Sequence, residues 1–288
     1  MNKPARLARP ASPVIDREAF LREGFFVARG LLDPRDLQQL NAEMGELFAQ
    51  QLRRLGLPVD AGTSREAFHA NAARLLAVDV PTYIATARMT QMVPSAHRIM
   101  ASDAIVELVR AAGVAVPVLS TRLSNHIMSE TLRIPGGYHK SPPHQDWRSM
   151  QGSLDSVVLW APTTPVTATS HPLEVIPGSH LYGLLDTVEH IMTPTVSDPR
   201  ITEDQYRPLP MEPGDGVIFS SFLVHRTGET GDGNVRIAFS TRFNNAAEPT
   251  YVEHGYPTPY KYSYQTDLIV PDFPKPADLR TIFPDAVD

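Results

Sequence analysis

The step His144-Gln145-Asp146 sets an imidazole and a carboxylate two residues apart. On an extended strand residues i and i+2 face the same way, so both groups can converge on one ion. Alone, the step carries little weight. With 10 His and 18 Asp in 288 residues, roughly 0.6 such pairs arise by chance. A third ligand must come from another strand. His225 is the strongest candidate, because it follows the turn and apolar strand of residues 213–220 and lies 79 residues after Asp146. Two neutral imidazoles and one carboxylate on one face of an octahedral ion form the facial triad of non-haem Fe(II) oxygenases, with three positions left open. A bidentate 2-oxo acid fills two of them and O2 the third, the oxo acid supplying two of the electrons that cleave O2. If that acid is 2-oxoglutarate, its far carboxylate needs a fixed partner at depth. Arg236 stands 11 residues after His225 in the next strand, and its planar fork grips a carboxylate through two charge-assisted hydrogen bonds. The competing reading of Arg236 is an exposed strand residue. Val235, Ile237 and Phe239 are apolar, while Ala238 and Ser240 share the arginine's face, so direction alone does not separate the two.

Composition narrows the chemistry from the other side. The chain has no Cys, which excludes disulfides, thiolate nucleophiles, Cys-ligated zinc and iron–sulfur clusters, and leaves metal chemistry to His, Asp and Glu. Net charge is −6, from 26 basic against 32 acidic residues and no long block of one sign, which argues against a nucleic-acid partner. Residues 1–13 are basic and Pro-containing but lack the apolar stretch of a signal peptide, and no apolar run approaches a membrane span. The expectation is a cytoplasmic protein with a disordered lead-in over residues 1–15.

These residues must be positioned by a scaffold, and the patterning changes along the chain. Residues 16–113 read as a helical wrapper: a short helix over 16–24, a strand over 25–30, then helices from Asp33-Pro34, over 64–78, 82–100 and 103–112. From residue 114 the period becomes two, in stretches at 114–123, 156–160, 173–176, 216–220 and 235–243. Pro is 27 of 288 residues, about 9% against the usual ~5%, and turns at Pro135-Gly136-Gly137, Pro177-Gly178-Ser179 and Pro213-Gly214-Asp215 suit an antiparallel barrel or jelly roll. The core spans 114–245. Residues 246–288 read as a covering arm or lid on a single domain running from residue 16, and the Tyr251 to Tyr264 stretch would serve a homodimer as readily.

Taken in order, these features resemble the phytanoyl-CoA dioxygenase family of Fe(II)/2-oxoglutarate oxygenases. The resemblance rests on the opening Arg22-Glu-Gly-Phe-Phe-Val-Ala-Arg-Gly-Leu-Leu32, on His144-Gln-Asp-Trp147, on Leu173-Glu-Val-Ile-Pro-Gly-Ser-His180, on Pro213-Gly-Asp215, and on His225 with Arg236, spanning about residues 17–243. It implies a mainly β fold with N-terminal helices and a double-stranded β-helix (jelly-roll, cupin-like) core. It implies Fe(II) on His144, Asp146 and His225, 2-oxoglutarate on Arg236, and O2 as second co-substrate. Thr227 matches a hydroxyl that helps hold the co-substrate carboxylate, and Trp160 matches an aromatic lining its pocket, against the reading of a plain core Trp. Gln145 faces either the co-substrate or solvent. One departure is the stretch before Leu173, which lacks the Asn-Gly pair common in the family.

The implied reaction is hydroxylation of a C–H bond with release of succinate and CO2, because Asp146 occupies the position that related halogenases leave open for chloride. Arg122, Arg133, Lys140 and Arg148 bracket the metal motif in an acidic protein and, with Trp147, give a candidate surface for a small polar, anionic or carbohydrate-type substrate, against the reading of scattered surface charge. His126 and His139 are further pocket candidates, and His180 reads as a loop-bonding residue. Other readings stay open at this point: a non-catalytic metal- or sugar-binding barrel, a zinc hydrolase on the same ligands, or an oxygenase of an acyl-CoA or lipid.

Overall fold

The computed structural model describes residues 15–120, 123–134, 140–190 and 193–253. Its first half holds α1 (Arg17–Glu23), β1 (Phe25–Ala28), α2 (Pro34–Arg54), α3 (Arg65–Val78), α4 (Val80–Met89), α5 (Pro94–Met100) and α6 (Asp103–Ala111). There follow β2 (Pro117–Leu119), β3 (Ser124–Met128), α7 (Asp146–Met150), β4 (Val157–Pro162) and β5 (Leu173–Val175). The chain then runs through β6 (Thr187–Val188), β7 (Thr195–Val196), β8 (Arg207–Pro208), β9 (Gly216–Ser220), β10 (His225–Thr227), β11 (Arg236–Asn245) and α8 (Pro249–Glu253). A major antiparallel sheet runs β1-β9-β4-β11-β2, with β3 also paired to β11, and a smaller sheet runs β10-β5-β8. This is the jelly-roll core with N-terminal helices expected from the period change.

The helices start where the sequence supplies caps. Asp16, Asp33, Ser64 and Asp79 each accept a backbone N–H of the first turn. The expected helix over 82–100 is broken in two: Val93 is extended, at φ −63° and ψ 145°, because Pro94 disfavours a helical residue before it. Pro94 then opens α5, where its missing N–H costs nothing.

Strand alternation sorts the core into two halves. In β4, Val157, Leu159 and Ala161 pack under the helices with Leu40, Phe48 and Ile99, while Val158 and Trp160 face Val175, Phe219 and Leu223 between the two sheets. Both faces are covered, which is why β4 reads as a continuous apolar run. In β11, Ile237, Phe239 and Phe243 join the helical side. Arg236, Ser240 and Arg242 therefore point to the other face.

The turn at Pro213-Gly214-Asp215 ties the opening of the chain to this core. Asp215 accepts from the backbone N–H of Gly30 (2.9 Å) and Glu212 (3.0 Å) and from Arg29 Nη1 (2.6 Å). Burial alone would raise its carboxyl, but these donors hold it below the ordinary carboxylate range. The folded value is the lower one, so the stabilisation is complete above the unfolded value of about 3.9 and fades as pH falls through the folded one. Asp215→Asn is expected to cost about 1–3 kcal/mol in urea unfolding at pH 7. The gap between wild type and variant should close below about pH 4; a gap independent of pH would contradict this role.

Some sequence expectations fall elsewhere. Arg122, the turn at Pro135-Gly136-Gly137 and His139 lie outside the described residues, as do residues 1–14 and most of the expected arm. Among the described residues, no helix is long and apolar enough to cross a membrane.

Candidate metal centre and active site

The first candidate ligand does not sit on a strand of the expected kind. His144 forms an isolated bridge with His225, donating its N–H to the His225 carbonyl (3.0 Å) and accepting the N–H of His225 (3.1 Å). Asp146 then opens α7. Convergence is achieved by a strand end running into a helix start. His225 pairs on its other side with Val175 of β5, so β10 is held on both edges.

The three side chains meet. His144, Asp146 and His225 are buried, and their ligating atoms lie within 4.8 Å of one another, forming the one group of this kind among the described residues. His144 Nδ1 lies 2.7 Å from the carbonyl of Pro142, and His225 Nδ1 lies 2.9 Å from that of Leu223. A carbonyl only accepts, so each Nδ1 carries a proton, and it is the neutral tautomer with Nδ1–H whose Nε2 offers a lone pair to a metal ion. Burial, with His144 adding, pushes the His225 imidazole down to about 3, which keeps it neutral at neutral pH. Burial works against an ionised Asp146, but the Arg242 guanidinium, followed by His144 and His225, holds its carboxyl well below the ordinary carboxylate range. Two neutral imidazoles and an ionised carboxylate suit a divalent ion with N and O ligands, so the donor set fits Fe(II).

Around this centre lies a cavity of about 430 Å³, within the ~300–1,000 Å³ of small-molecule sites. Arg236 lines it and is 2% exposed. Its Nε donates to the carbonyl of His171 (3.1 Å), its Nη1 to that of His126 (3.4 Å), and its Cζ lies 5.5 Å from the centre of the Trp160 ring. Thr227 and Trp160 are buried and line the same cavity. His126 does so too, hydrogen-bonded to Ser240 Oγ (2.9 Å), with burial and then Arg236 pushing its imidazole down to about 3.

Other sequence candidates are directed elsewhere. Gln145 is buried, but faces neither co-substrate nor solvent. Its Nε2 donates to the carbonyls of Gly183 (2.8 Å) and Phe222 (2.7 Å), and its Oε1 accepts from Leu185 N (2.9 Å). The alternation that aims its neighbours inward turns Gln145 the opposite way, into a loop with backbone groups to satisfy. Trp147 stacks on Phe222 at 5.3 Å and donates to the Gly152 carbonyl, and Arg148 donates to that of Leu185. Lys140 is engaged by Glu229, at 2.8 Å to its carbonyl and 3.1 Å to its carboxylate. Arg133 is exposed. None of these four lines the cavity, because nearness to the motif in sequence says nothing of side-chain direction. His180 bonds the Leu21 carbonyl in the last turn of α1 (3.0 Å), tying its loop to the first helix and not to the metal centre.

Arg242 is the functional residue that the motifs did not reveal. It sits six residues beyond Arg236 on the same face of β11 and lines the cavity. Its Nε and Nη2 reach the two oxygens of Asp146 at 3.1 and 3.3 Å, and its Nη1 reaches Ser240 Oγ at 3.0 Å. The alternation 236, 238, 240, 242 carries the direction, but nothing in the sequence pairs Arg242 with Asp146. A partner that orients a ligand typically contributes about 10–100-fold in metal affinity or activity. Arg242→Met is expected to weaken Mn(II) affinity by that factor, and to lower the melting temperature because the buried Asp146 charge loses its partner, measured by titration and thermal denaturation; unchanged affinity in the folded variant would contradict the orienting role.

The sequence matches the phytanoyl-CoA dioxygenase (PhyH) family over residues 20–238, a span that includes both His, Asp146 and Arg236. The chain belongs to the phytanoyl-CoA dioxygenase family. It is thereby an Fe(II)/2-oxoglutarate-dependent oxygenase using O2, and the zinc-hydrolase reading falls away. Solved structures share the fold. They include the non-heme monooxygenase ThoJ, at 16% identity and TM-score 0.55, covering 80% of this chain and 76% of that one. The epimerase SnoN, in complex with Fe3+, alpha ketoglutarate and nogalamycin RO, matches at 16% and 0.52, covering 80% and 82%. EctD from S. alaskensis, with 2-oxoglutarate and 5-hydroxyectoine, matches at 16% and 0.52, covering 84% and 80%. No curated protein matches by sequence.

Proposed function

We propose that this oxygenase hydroxylates a C–H bond of a small, polyhydroxylated polar metabolite, with release of succinate and CO2. In this reading His144, Asp146 and His225 hold Fe(II), and Arg236 grips the far carboxylate of 2-oxoglutarate, with Thr227 and Trp160 beside it. Bound there, iron with 2-oxoglutarate and O2 supplies the oxidising equivalent that the side chains themselves lack. The protein's own groups do the positioning. The two Nδ1–H donors lock the imidazole tautomers, Arg242 keeps Asp146 ionised and aimed, and the Trp160 ring screens Arg236 from water.

The observation that carries the substrate class is the lining of the cavity over the triad. Gln91, His126, Ser149, Thr193 and Ser240 line it with amide, imidazole and hydroxyl side chains, which suit a ligand rich in hydroxyls. Positive charge is less available than it looks. Arg242 is forked onto Asp146, and Arg226 onto Glu174 and Glu203, so an uncharged, sugar-like substrate is favoured over a strongly anionic one. EctD, whose structure holds 5-hydroxyectoine, supports a small polar product on this fold.

The test is a panel of polyols, sugars and sugar acids with Fe(II), 2-oxoglutarate and O2, reading succinate and product mass. A product one oxygen heavier supports the proposal; succinate with an unchanged product mass replaces hydroxylation by isomerisation. A second reading has one observation behind it. A side cavity of about 190 Å³ between α4 and β3 shares Gln91, Asn125 and His126 with the main one and is otherwise largely apolar, with Ile84, Ala87 and Met128 in its wall. It would take the tail of an acyl or lipid substrate. Ala87→Trp fills it. For a small polar substrate kcat/KM should change less than about threefold, whereas a loss beyond about tenfold establishes an amphiphile.

A further inference from the structure

A second pair of cavities lies on the opposite side of β11, sharing no lining residue with the active site. They measure about 140 and 230 Å³ and have Asn41 of α2, Thr63 and Thr163 in common. Three buried polar atoms in this region lack a hydrogen-bond partner: Asn41 Oδ1, Thr163 Oγ1 and Arg65 Nη2. Thr163 is only 5% exposed, and all three residues line the smaller cavity. Unpaired polar atoms at such depth are costly, and the three residues that carry them line one cavity, which points to a ligand that completes them.

The other atoms of these side chains explain their aim. Arg65 Nε donates to the Val235 carbonyl (2.6 Å), and Asn41 Nδ2 to that of Thr163 (3.5 Å), which leaves Asn41 Oδ1 as a pure acceptor. Arg65 is the sole charged residue lining either cavity. A cationic N–H donor, a hydroxyl and an amide acceptor, with no carboxylate opposing them, match a carboxylate that carries an adjacent donor.

We propose that this cavity is a binding site for a small hydroxy- or amino-carboxylate. Its carboxylate accepts from Arg65 Nη2 and Thr163 Oγ1, and its hydroxyl or ammonium donates to Asn41 Oδ1. The site stands on no feature of the metal centre. It does touch the strand that bears Arg236 from behind: Arg65 holds the Val235 carbonyl, and Thr164 Oγ1 accepts the Ile237 N–H (2.9 Å). An occupant therefore bears on the two peptide groups that flank Arg236.

The test is calorimetric titration of glycolate into the full chain loaded with Mn(II) and saturated with 2-oxoglutarate, so that Arg236 is already engaged. Saturable binding is expected, weakened about tenfold by Thr163→Val, which removes the hydroxyl and keeps the shape, and at least as much by Asn41→Asp, which opposes the anion. Acetate, lacking the donor, should bind more weakly than glycolate, and Arg65→Met should abolish binding. Thermal melts establish that each variant is folded; should Arg65→Met lose its fold with the Val235 contact, the other two variants still decide. Absence of saturable heat up to roughly 10 mM glycolate overturns the proposal and assigns the cavity to solvent. Binding unaffected by Thr163→Val and Asn41→Asp overturns it equally, placing glycolate at the metal instead.

Discussion

Asp146→Ala is expected to abolish succinate formation in the presence of Fe(II), 2-oxoglutarate and substrate, a loss of about 4 kcal/mol or more and on the order of 10³-fold. The carboxylate is the one anionic donor in a group otherwise made of neutral imidazoles, so its removal leaves two nitrogen ligands and no charge to offset a divalent ion. A second penalty follows from the fold. Arg242 is forked onto this carboxylate at 3.1 and 3.3 Å, and stripping one partner from a buried pair strands the other charge, at about 3–5 kcal/mol. Loss of turnover in the alanine variant could thus reflect unfolding alone. Asp146→Asn narrows the causes, since at nearly the same volume the amide oxygen still accepts one of the two Arg242 N–H groups, although the charge is lost. Asp146→Asn should melt above the alanine variant and still lack turnover at a temperature where its melt shows it folded. Succinate formation in a folded Asp146→Asn protein would remove Asp146 from the ligand set.

Arg236→Met should raise the 2-oxoglutarate concentration for half-maximal rate by on the order of 10²–10³-fold, since truncating one member of a buried charge pair costs about 2–5 kcal/mol. The effect should fall on half-saturation more than on the rate at saturating co-substrate, because the anchor holds the carboxylate remote from the reacting carbon. Arg236→Lys should lie between, a point charge being unable to make two parallel bonds. The shape of the pocket predicts a further asymmetry. With Nε bound to the His171 carbonyl and the ring of Trp160 at 5.5 Å, the guanidinium is orientated before any ligand arrives. Equal losses in half-saturation for Met and Lys would argue against a forked grip.

The residues that could be read in advance were those whose role depends on identity and order along the chain. His144, Asp146, His225 and Arg236 follow one another with a turn and an apolar strand at the expected places, and burial brings them together. Direction was harder to read. Gln145, Trp147, Arg148 and Lys140 stand beside the motif, yet each side chain satisfies a loop carbonyl or carboxylate. Such backbone demands arise only once distant segments meet. Strand β3, with Ser124, Asn125 and His126, extends past the alternating stretch at 114–123 because polar side chains there break the apolar alternation that marks a strand. Arg242 lies between these cases: its face follows from Arg236 by counting in twos, but its partner is 96 residues away.

The reciprocal backbone bonds between His144 and His225 have a consequence for metal choice. Two of the three donors are cross-strand neighbours, with β5 bracing His225 from the far side. The entropy of bringing them together is spent when the sheet forms, so an arriving ion gains the full chelate advantage and has little power to reshape its donors. A rigid N2O cradle of this kind ranks divalent ions by their intrinsic affinity, in which Zn2+ and Cu2+ stand above Fe2+. The polypeptide therefore cannot proofread its own metallation. Which ion it carries is set by the free concentrations it meets, and traces of Zn2+ or Cu2+ should act as tight inhibitors competitive with Fe(II).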